Sequence, residues 1–470
     1  MISFLIVLLS PLLSLIFLPL KRHNRVLFYG IALTISIMDV VLCFYCPLGT
    51  RIILDPIPFL FIVDKFSKIF LLLISFSWLI SIIYCFEFTK YHFQQKTTQF
   101  FLYLNILLTV VMLNASAGNM LTLFVFYFLG IPLTYPLIKI RGTSASKISA
   151  IKFLRQTLWP SLLILLPAAL SVMAHVGNGP FASMKTLGAE QVSPLVGGIL
   201  LAMFIVGISK NSVFPFHTWL PSTSPAPAPV SGLIHSIGTV KTGSIAIIKL
   251  AVYVFGLDYL QLLTSSFFTG GWICYLCGFT SLYTAYQALK TDDLKQRFGY
   301  STVGQLSYII LAILTGSVNG IFAATLHIVT HGIAKSCLFY VAGFYNSVYK
   351  TVKVSEIGKI MPHTRFVAFV IAVCGLSITG FPFLAGFYSK DLMLLEEWNG
   401  HYYASAVFLV IGSFINILYI IGPIKNVFNK QSEQVEKKPM PISMFITFVI
   451  CVALIIGGNF YVPYIILFIK

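Results

Sequence analysis

The chain has 470 residues, of which 58% are hydrophobic and only 10% are charged, and its mean hydropathy is +0.91. Soluble domains are about 45–50% apolar and about 25% charged, so this composition excludes an ordinary soluble protein and indicates a polytopic membrane protein. The net charge of +17 would by itself suit a nucleic-acid-binding protein, but the placement of the basic residues along the chain gives it another explanation.

Apolar runs of about twenty residues, the length that crosses a bilayer, repeat from one end of the chain to the other. We count about fourteen and predict an all-α polytopic membrane fold with that number of transmembrane helices. The first run, 2–20, has the length of a signal peptide, but no basic segment precedes it and no small-residue cleavage site follows it. We therefore expect it to be retained as the first helix.

Most of the 31 Lys and Arg residues fall in alternate loops between these runs. Basic loops stay on the cytoplasmic side of a membrane, which places both termini on the non-cytoplasmic side. The positive charge is therefore a topology signal: the lipid bilayer is the expected partner, and nucleic acid is not. The basic loops are 21–25, 90–96, 139–155, 290–297, 350–365 and 425–438.

Five lysines lie inside the apolar runs, where a charged amine costs about 2.5–3.5 kcal/mol even on the lenient insertion scale. No Asp or Glu occurs between Phe88 and Ala189 to serve as a partner. Such residues indicate a protein that handles charge within the membrane. For Lys249, which is nearer its helix end, snorkelling to the interface is the competing explanation. The five are Lys210, Lys241, Lys249, Lys335 and Lys390.

Two apolar segments carry a proline that should interrupt a membrane helix, Pro215 in segment 210–221 and Pro382 in segment 379–390. Proline removes a backbone donor, and unpaired backbone groups are tolerated in a membrane only beside a protein-lined or wet cavity. Paired interrupted helices in two halves of a chain indicate an ion path between inverted repeats. Each segment also contains one of the membrane lysines.

Histidines accompany the lysines. His327, His331 and Lys335 follow one another at intervals of four residues, so they share one helix face. Histidine titrates near neutral pH, and a charged lysine cannot bind a metal cation, so the pattern favours proton relay over direct sodium binding. We predict that the relay consists of Lys210, His235, Lys241, His327, His331, Lys335 and Lys390.

Other kinds of site are poorly supported. His327 and His331 have helical ligand spacing but lack the glutamate of zinc proteases. The C-x-x-C pair Cys274 and Cys277 lies within a predicted membrane span, where buried apolar cysteines explain it better than a metal site. We expect no metal and no cofactor in this chain. The acidic pair 396–397 follows Lys390 at a helix end and is expected to be a solvated cap.

The motifs resemble those of the antiporter-like family of membrane subunits. This family includes the proton-pumping subunits of respiratory complex I (NADH:quinone oxidoreductase) and the large subunits of multi-subunit cation/proton antiporters. The resemblance covers about residues 50–425. It rests on K-x4-P-F-H-T-W-L-P from Lys210 to Pro221, P-V-S-G-L-I-H from Pro229 to His235, T-D-D-L-K-Q-R-F-G-Y-S-T-x-x-Q from Thr291 to Gln305, H-x-x-T-H-x-x-x-K from His327 to Lys335, and G-F-P-F-L-A-G-F-Y-S-K-D from Gly380 to Asp391.

The resemblance implies two inverted five-helix repeats, each with a broken helix. Lys210 would be the channel lysine of the first repeat, Lys241 the bridging lysine and Lys390 the terminal one. The implied division is residues 1–98 for helices 1–3, 99–255 for the first repeat (helices 4–8), 263–424 for the second (helices 9–13), and 441–470 for a C-terminal helix.

One position departs from the family pattern. Where the family has a glutamate on the fifth helix as the partner of the channel lysine, this chain has Phe128. The leading expectation is still a proton-translocating subunit of a multi-subunit complex in a bacterial plasma membrane, closest to complex I and without a redox centre of its own. The alternatives are a subunit of a cation/proton antiporter or ion-uptake module, and a non-conducting assembly paralogue. The expected partners are other membrane subunits of such a complex.

Overall fold

The structure is a computed structural model that describes residues 1–54, 56–92, 96–425, 427 and 438–469. Most of the predicted loop 425–438, part of loop 90–96 and the last residue of segment 441–470 lie outside these ranges. The described chain is almost entirely helical. Its first part contains α1 (Ile2–Leu15), α2 (Leu20–His23), α3 (Arg25–Tyr45), β1 (Arg51–Leu54), β2 (Phe59–Ile62), α4 (Lys65–Tyr91), α5 (Thr97–Ala115), α6 (Met120–Lys139), α7 (Ser144–Pro160), α8 (Leu166–Val176), α9 (Pro194–Gly207), α10 (Trp219–Ser222), α11 (Ala228–Ser236) and α12 (Thr239–Lys249).

The second part begins with a sharply bent helix pair. Its helices are α13 (Leu257–Ser265), α14 (Trp272–Lys290), α15 (Leu294–Leu314), α16 (Val318–Phe344), α17 (Val354–Ile360), α18 (Arg365–Thr379), α19 (Ala385–Asn399), α20 (Tyr403–Ile424), α21 (Ile442–Ile456) and α22 (Gly458–Ile469). Short π-helical stretches extend several helices, at Ser161–Leu165, Leu250–Phe255, Phe267–Gly271 and Tyr345–Tyr349.

Polar side chains fix the starts of several helices. Asp64, Asn119, Asp293 and Ser317 each accept a hydrogen bond from a backbone N–H in the first turn of the helix that follows. Because these N–H groups have no partner within the helix, a short side-chain acceptor immediately before the first turn stabilises the helix and sets its first residue.

Within the described residues, eight helices are long and apolar enough to cross a membrane, and ten if each of two bent helix pairs counts as one span. The bent pairs turn by 100° between Ser265 and Phe267 and by 64° between Ile456 and Gly458. The chain is therefore a multi-pass membrane protein. The more specific number of about fourteen spans stays a prediction.

Both interruptions expected from the prolines are present. Helix α9 ends at Gly207 and is followed by a single 3₁₀ turn, Ser209–Asn211, before the chain leaves helical geometry. Helix α18 ends at Thr379, and α19 starts only at Ala385. Gly380 at the second break has a φ of +87°, a conformation that glycine adopts without steric cost.

Helix α16 is the centre of the bundle. It packs against α11, α15, α18 and α19, and the whole of its membrane-length window is buried. Gly343 permits this packing, because a Cβ there would lie 2.4 Å from the Cβ of Ala228. On the same helix, Tyr340 stacks on Tyr84 of α4 with ring centroids 4.3 Å apart, and its carbonyl accepts a hydrogen bond from the Tyr84 hydroxyl.

Several loops predicted to be cytoplasmic meet at one end of the bundle. Lys96 donates a hydrogen bond to the carbonyl of Ile140. Burial, together with the nearby charges of Arg141 and Lys350, lowers the pKa of His92 to about 4. These contacts join loops 90–96, 139–155 and 350–365 on one basic face, as the charge pattern requires. Which compartment this face meets stays a prediction.

Candidate functional site

Helix α16 holds a buried histidine pair that a lysine from another helix contacts. The His331 and His327 rings stack with centroids 5.7 Å apart and planes inclined by 23°. Lys241 of α12 places its Nζ 3.0 Å from His331 Nδ1. All three side chains are at most 1% exposed. The four-residue spacing predicted the shared histidine face, and the packing of α12 on α16 brings the lysine to it.

The contacts from Lys241 through His331 to His327 form a row, and His327 extends this row to α19. Its Nδ1 lies 2.9 Å from the hydroxyl of Ser389, and its Nε2 lies 3.2 Å from Oε1 of Gln305. With both ring nitrogens in hydrogen bonds, the imidazole can receive a proton on one nitrogen and release one from the other. Ser389 immediately precedes Lys390, so the contacts from Lys241 extend to the residue next to the last lysine of the predicted relay.

The amine of Lys390 contacts α20 and α15. It donates a hydrogen bond to Ser413 of α20 at 2.6 Å and lies 4.9 Å from the centroid of the Tyr308 ring. The broken helix makes room for it, because a Cβ at Gly380 would lie only 2.9 Å from Cδ of Lys390. Proton transfer between His327 and Lys390 would therefore pass through Ser389 or an intervening water.

Lys210 lies in the 3₁₀ turn at the first break and is 1% exposed. Its Nζ donates to the carbonyl of Tyr127 at 2.5 Å and to the Thr242 hydroxyl at 3.4 Å, and it lies 4.2 Å from the centre of the Tyr127 ring. Thr242 neighbours Lys241, which links this lysine to the central row. Among the described residues, no carboxylate lies within 4 Å of its amine.

Two members of the predicted relay are buried beside the row. Lys335 donates to the Phe298 carbonyl at 3.1 Å and to the Ser301 hydroxyl at 2.6 Å. His235 places Nε2 3.2 Å from the Thr223 hydroxyl, and its ring stacks on Phe339. These contacts explain how both side chains are accommodated, but they join neither to the Lys241–His331 contact. Their role in a relay stays a prediction.

The competing explanation for Lys249, snorkelling to the interface, does not fit the structure. Its side chain is fully buried, and its Nζ lies 3.5 Å from a carboxylate oxygen of Asp64. It also donates to the Ser67 hydroxyl at 2.9 Å and the Ala117 carbonyl at 2.7 Å. No local sequence signal pairs this lysine with an acid so far upstream, because the partnership depends on how α4 packs near α12.

The expectation of a solvated acidic cap at 396–397 is wrong for its second residue. Glu396 is partly exposed and accepts hydrogen bonds from Ser317 and Asn319. Glu397 is 0% exposed. The spacing of seven residues from Lys390, which puts both on one face of α19, was the signal that could have identified it. A second buried acid, Asp39 of α3, was also missed.

Metal binding has no support in the described residues, where no group of three or more His, Cys, Asp or Glu side chains could hold an ion. The expected absence of metals and cofactors from the whole chain stays a prediction.

The position that faces Lys210 on α6 is Gly130. A Cβ built there would lie 2.9 Å from Lys210 Nζ, whereas Phe128 is half-buried and stacks on Phe124. We predict that Gly130→Asp will pair with Lys210. A double-mutant cycle with Lys210→Met, measured by unfolding in detergent, should give a coupling of about 1–3 kcal/mol. Phe128→Glu in the same cycle should couple more weakly, and the opposite order would contradict this geometry.

The chain matches the family described as "NADH:quinone oxidoreductase/Mrp antiporter, TM" over residues 117–416. It is 32% identical over 209 residues to a protein of Rhizobium meliloti described as a probable K(+)/H(+) antiporter subunit, covering 44% of this chain and 20% of that protein. It is 29% identical over 358 residues to NADH-ubiquinone oxidoreductase chain 5 of Rhinoceros unicornis, covering 73% of this chain and 54% of that one.

Among solved structures, a chain of the membrane-bound sulfane sulfur reductase, an archaeal respiratory membrane complex, is similar in fold. The TM-score is 0.81 at 21% identity, with 99% of this chain and 96% of that chain covered. Aligned segments of this chain span about half or less of the curated relatives' own lengths. The family match covers more than half of this chain, and the chain belongs to the NADH:quinone oxidoreductase/antiporter family of membrane subunits.

Proposed function

We propose that this chain is a proton-translocating, antiporter-like subunit of a multi-subunit membrane complex, most like the membrane arm of NADH:quinone oxidoreductase. The observation that carries the proposal is the buried row from Lys241 through His331 and His327 to Ser389. Ionisable groups inside a membrane are costly and mark proton relays and ion pathways. Membership of a family that contains both complex I and antiporter subunits supports the same conclusion.

The proposal includes the finer architecture. When the three shorter apolar helices and α15 are counted with the ten candidate spans, the described residues supply fourteen crossings. The division is 1–98, then inverted repeats 99–255 and 263–424, then 441–470. The two broken helices, each holding a buried lysine, support this arrangement. Lys210, Lys241 and Lys390 are the proposed channel, bridging and terminal lysines, with His235, His327, His331 and Lys335 along the same path.

The proposed location is a bacterial plasma membrane, with the basic loops in the cytoplasm and both termini on the opposite side. The proposed partners are further membrane subunits of a complex I-like or antiporter complex. The chain would hold no redox centre, so the energy for proton movement would come from coupling to those partners.

Two other functions have specific support. The 32% identity to a probable antiporter component favours a cation/proton antiporter or ion-uptake module. The environment of Lys210 favours a non-conducting assembly role, because a carbonyl, a hydroxyl and an aromatic ring surround the amine where the family has a carboxylate. The proteins that copurify with the chain distinguish a complex I-like subunit from an antiporter subunit. Redox proteins would indicate the first, and small membrane subunits without an electron donor would indicate the second.

The test is proton flux in sealed vesicles that contain the native complex, with wild type compared to Lys390→Ala. Removal of the buried amine should lower flux to background while the complex still assembles, because no other described group replaces it beside Ser413. Lys353→Ala is the control, since that lysine is 65% exposed and forms only a surface ion pair. Unchanged flux in assembled Lys390→Ala would refute translocation and favour the assembly role.

A further inference from the structure

Glu397 is a buried acid that the relay described so far does not use. It is 0% exposed on α19, and neither carboxylate oxygen has a hydrogen-bond partner in the described part of the chain. A buried polar group without partners is costly, and such a group calls for a role or for water. Glu397 lies on the face of α19 that carries Lys390, and the two side chains interact electrostatically.

A cavity whose wall contains polar and aromatic side chains lies near Glu397, because its lining includes Gly400 to Ser405 just after Glu397 in the chain. Its volume is about 540 Å³, and it is formed by α13, the start of α14 and the start of α20. Tyr402, in the cavity wall, donates its backbone N–H to the Glu397 carbonyl at 2.8 Å. Cys274, which also lines the cavity, lies within electrostatic range of the Glu397 carboxyl group. A space of this size holds several waters, and the polar side chains in its wall give them hydrogen-bond partners. The polar lining includes Gln261, Thr264, Ser265, Tyr402 and Ser405.

The cavity lies at the end of the bundle opposite the basic face. Helix α14 begins at Trp272, beside the cavity, and ends at Lys290, where the basic loop 290–297 starts. Helix α20 likewise runs from Tyr403, in the cavity wall, to Ile424, just before the basic loop 425–438. If the basic loops are cytoplasmic, the cavity faces the non-cytoplasmic compartment.

We propose that Glu397 exchanges protons between Lys390 and water in this cavity. Glu397 and the cavity would together form the opening of the relay to the non-cytoplasmic side. A proton leaves the Lys390 ammonium for the Glu397 carboxylate through intervening water, which leaves a neutral amine and a carboxylic acid. The acid then releases that proton to cavity water and returns to the carboxylate. This inference rests on the proposed translocation function and adds a residue and a direction to it.

The direct test is proton flux in the native complex with Glu397→Gln, which keeps the shape but cannot exchange a proton. We expect at least a tenfold loss of flux, with partial recovery in Glu397→Asp. Glu396→Gln is the matched control, because the neighbouring acid is partly exposed and bonded to Ser317, and flux should stay unchanged. Wild-type flux in Glu397→Gln, while Lys390→Ala is inactive, would overturn this inference alone. Normal flux in Lys390→Ala would instead overturn the proposed function.

A second measurement does not depend on transport. A membrane-impermeant thiol reagent, applied to the complex in vesicles of known orientation, should label Cys274 from the non-cytoplasmic side, and Cys274→Ala should remove that label. Cys274 is 5% exposed and lines the cavity, whereas Cys277, one turn further along α14, is 0% exposed and is not part of the cavity wall. Cys277 is therefore the internal control and should stay unlabelled. Labelling of Cys274 only from the side of the basic loops, or none from either side, would overturn the proposed opening.

Discussion

Lys241→Ala is expected to reduce proton flux through the native complex to background. The side chain is the contact between α12 and the histidine pair of α16, with Nζ 3.0 Å from His331 Nδ1. Alanine removes the amine and would leave a gap of several ångströms in an almost fully buried row. Flux in sealed vesicles, normalised to the amount of assembled complex, measures the effect.

His331→Gln provides the matched comparison for this prediction. Glutamine keeps polar atoms near Lys241 but does not titrate, so its flux should fall to the same low level if the row carries protons. The amount of assembled complex should stay near that of wild type in both variants. Full flux in Lys241→Ala and in Lys390→Ala would make the relay untenable.

Asp64→Ala is expected to destabilise the protein by about 3–5 kcal/mol, because it leaves the buried Lys249 ammonium without its ion-pair partner. The unfolding free energy in detergent, from denaturant titration, measures this loss. Adding Lys249→Met should restore most of the stability, since an apolar side chain of similar volume removes the uncompensated charge.

The cap that Asp64 forms on α4 must be separated from the ion pair. Asp64 accepts a hydrogen bond from the Ser67 N–H at 2.6 Å, and Asp64→Asn keeps an acceptor at that position. The Asp64→Asn variant should therefore lose the ion pair with Lys249 but keep the hydrogen bond that stabilises the start of α4. A coupling energy between Asp64 and Lys249 below about 0.5 kcal/mol in the double-mutant cycle would show that the pair contributes little.

Local sequence patterns predicted the features whose causes are local. The length of apolar runs indicated membrane helices, the two prolines marked the breaks near Lys210 and Lys390, and the four-residue spacing placed His327 and His331 on one face. Each depends on helix geometry within a few turns or on the missing N–H of proline. The sequence by itself therefore determined the class of protein and most of the candidate relay residues.

Only the tertiary structure decided which of these groups meet. Lys241 contacts His331 because α12 packs on α16, Lys249 pairs with Asp64 from another part of the chain, and Glu397 is buried where a solvated cap was expected. Contacts between residues far apart in sequence depend on the packing of whole helices, which no local period encodes. The burial of an acid near a helix end likewise depends on neighbouring helices, so the opening beside Glu397 could be found only from the folded chain.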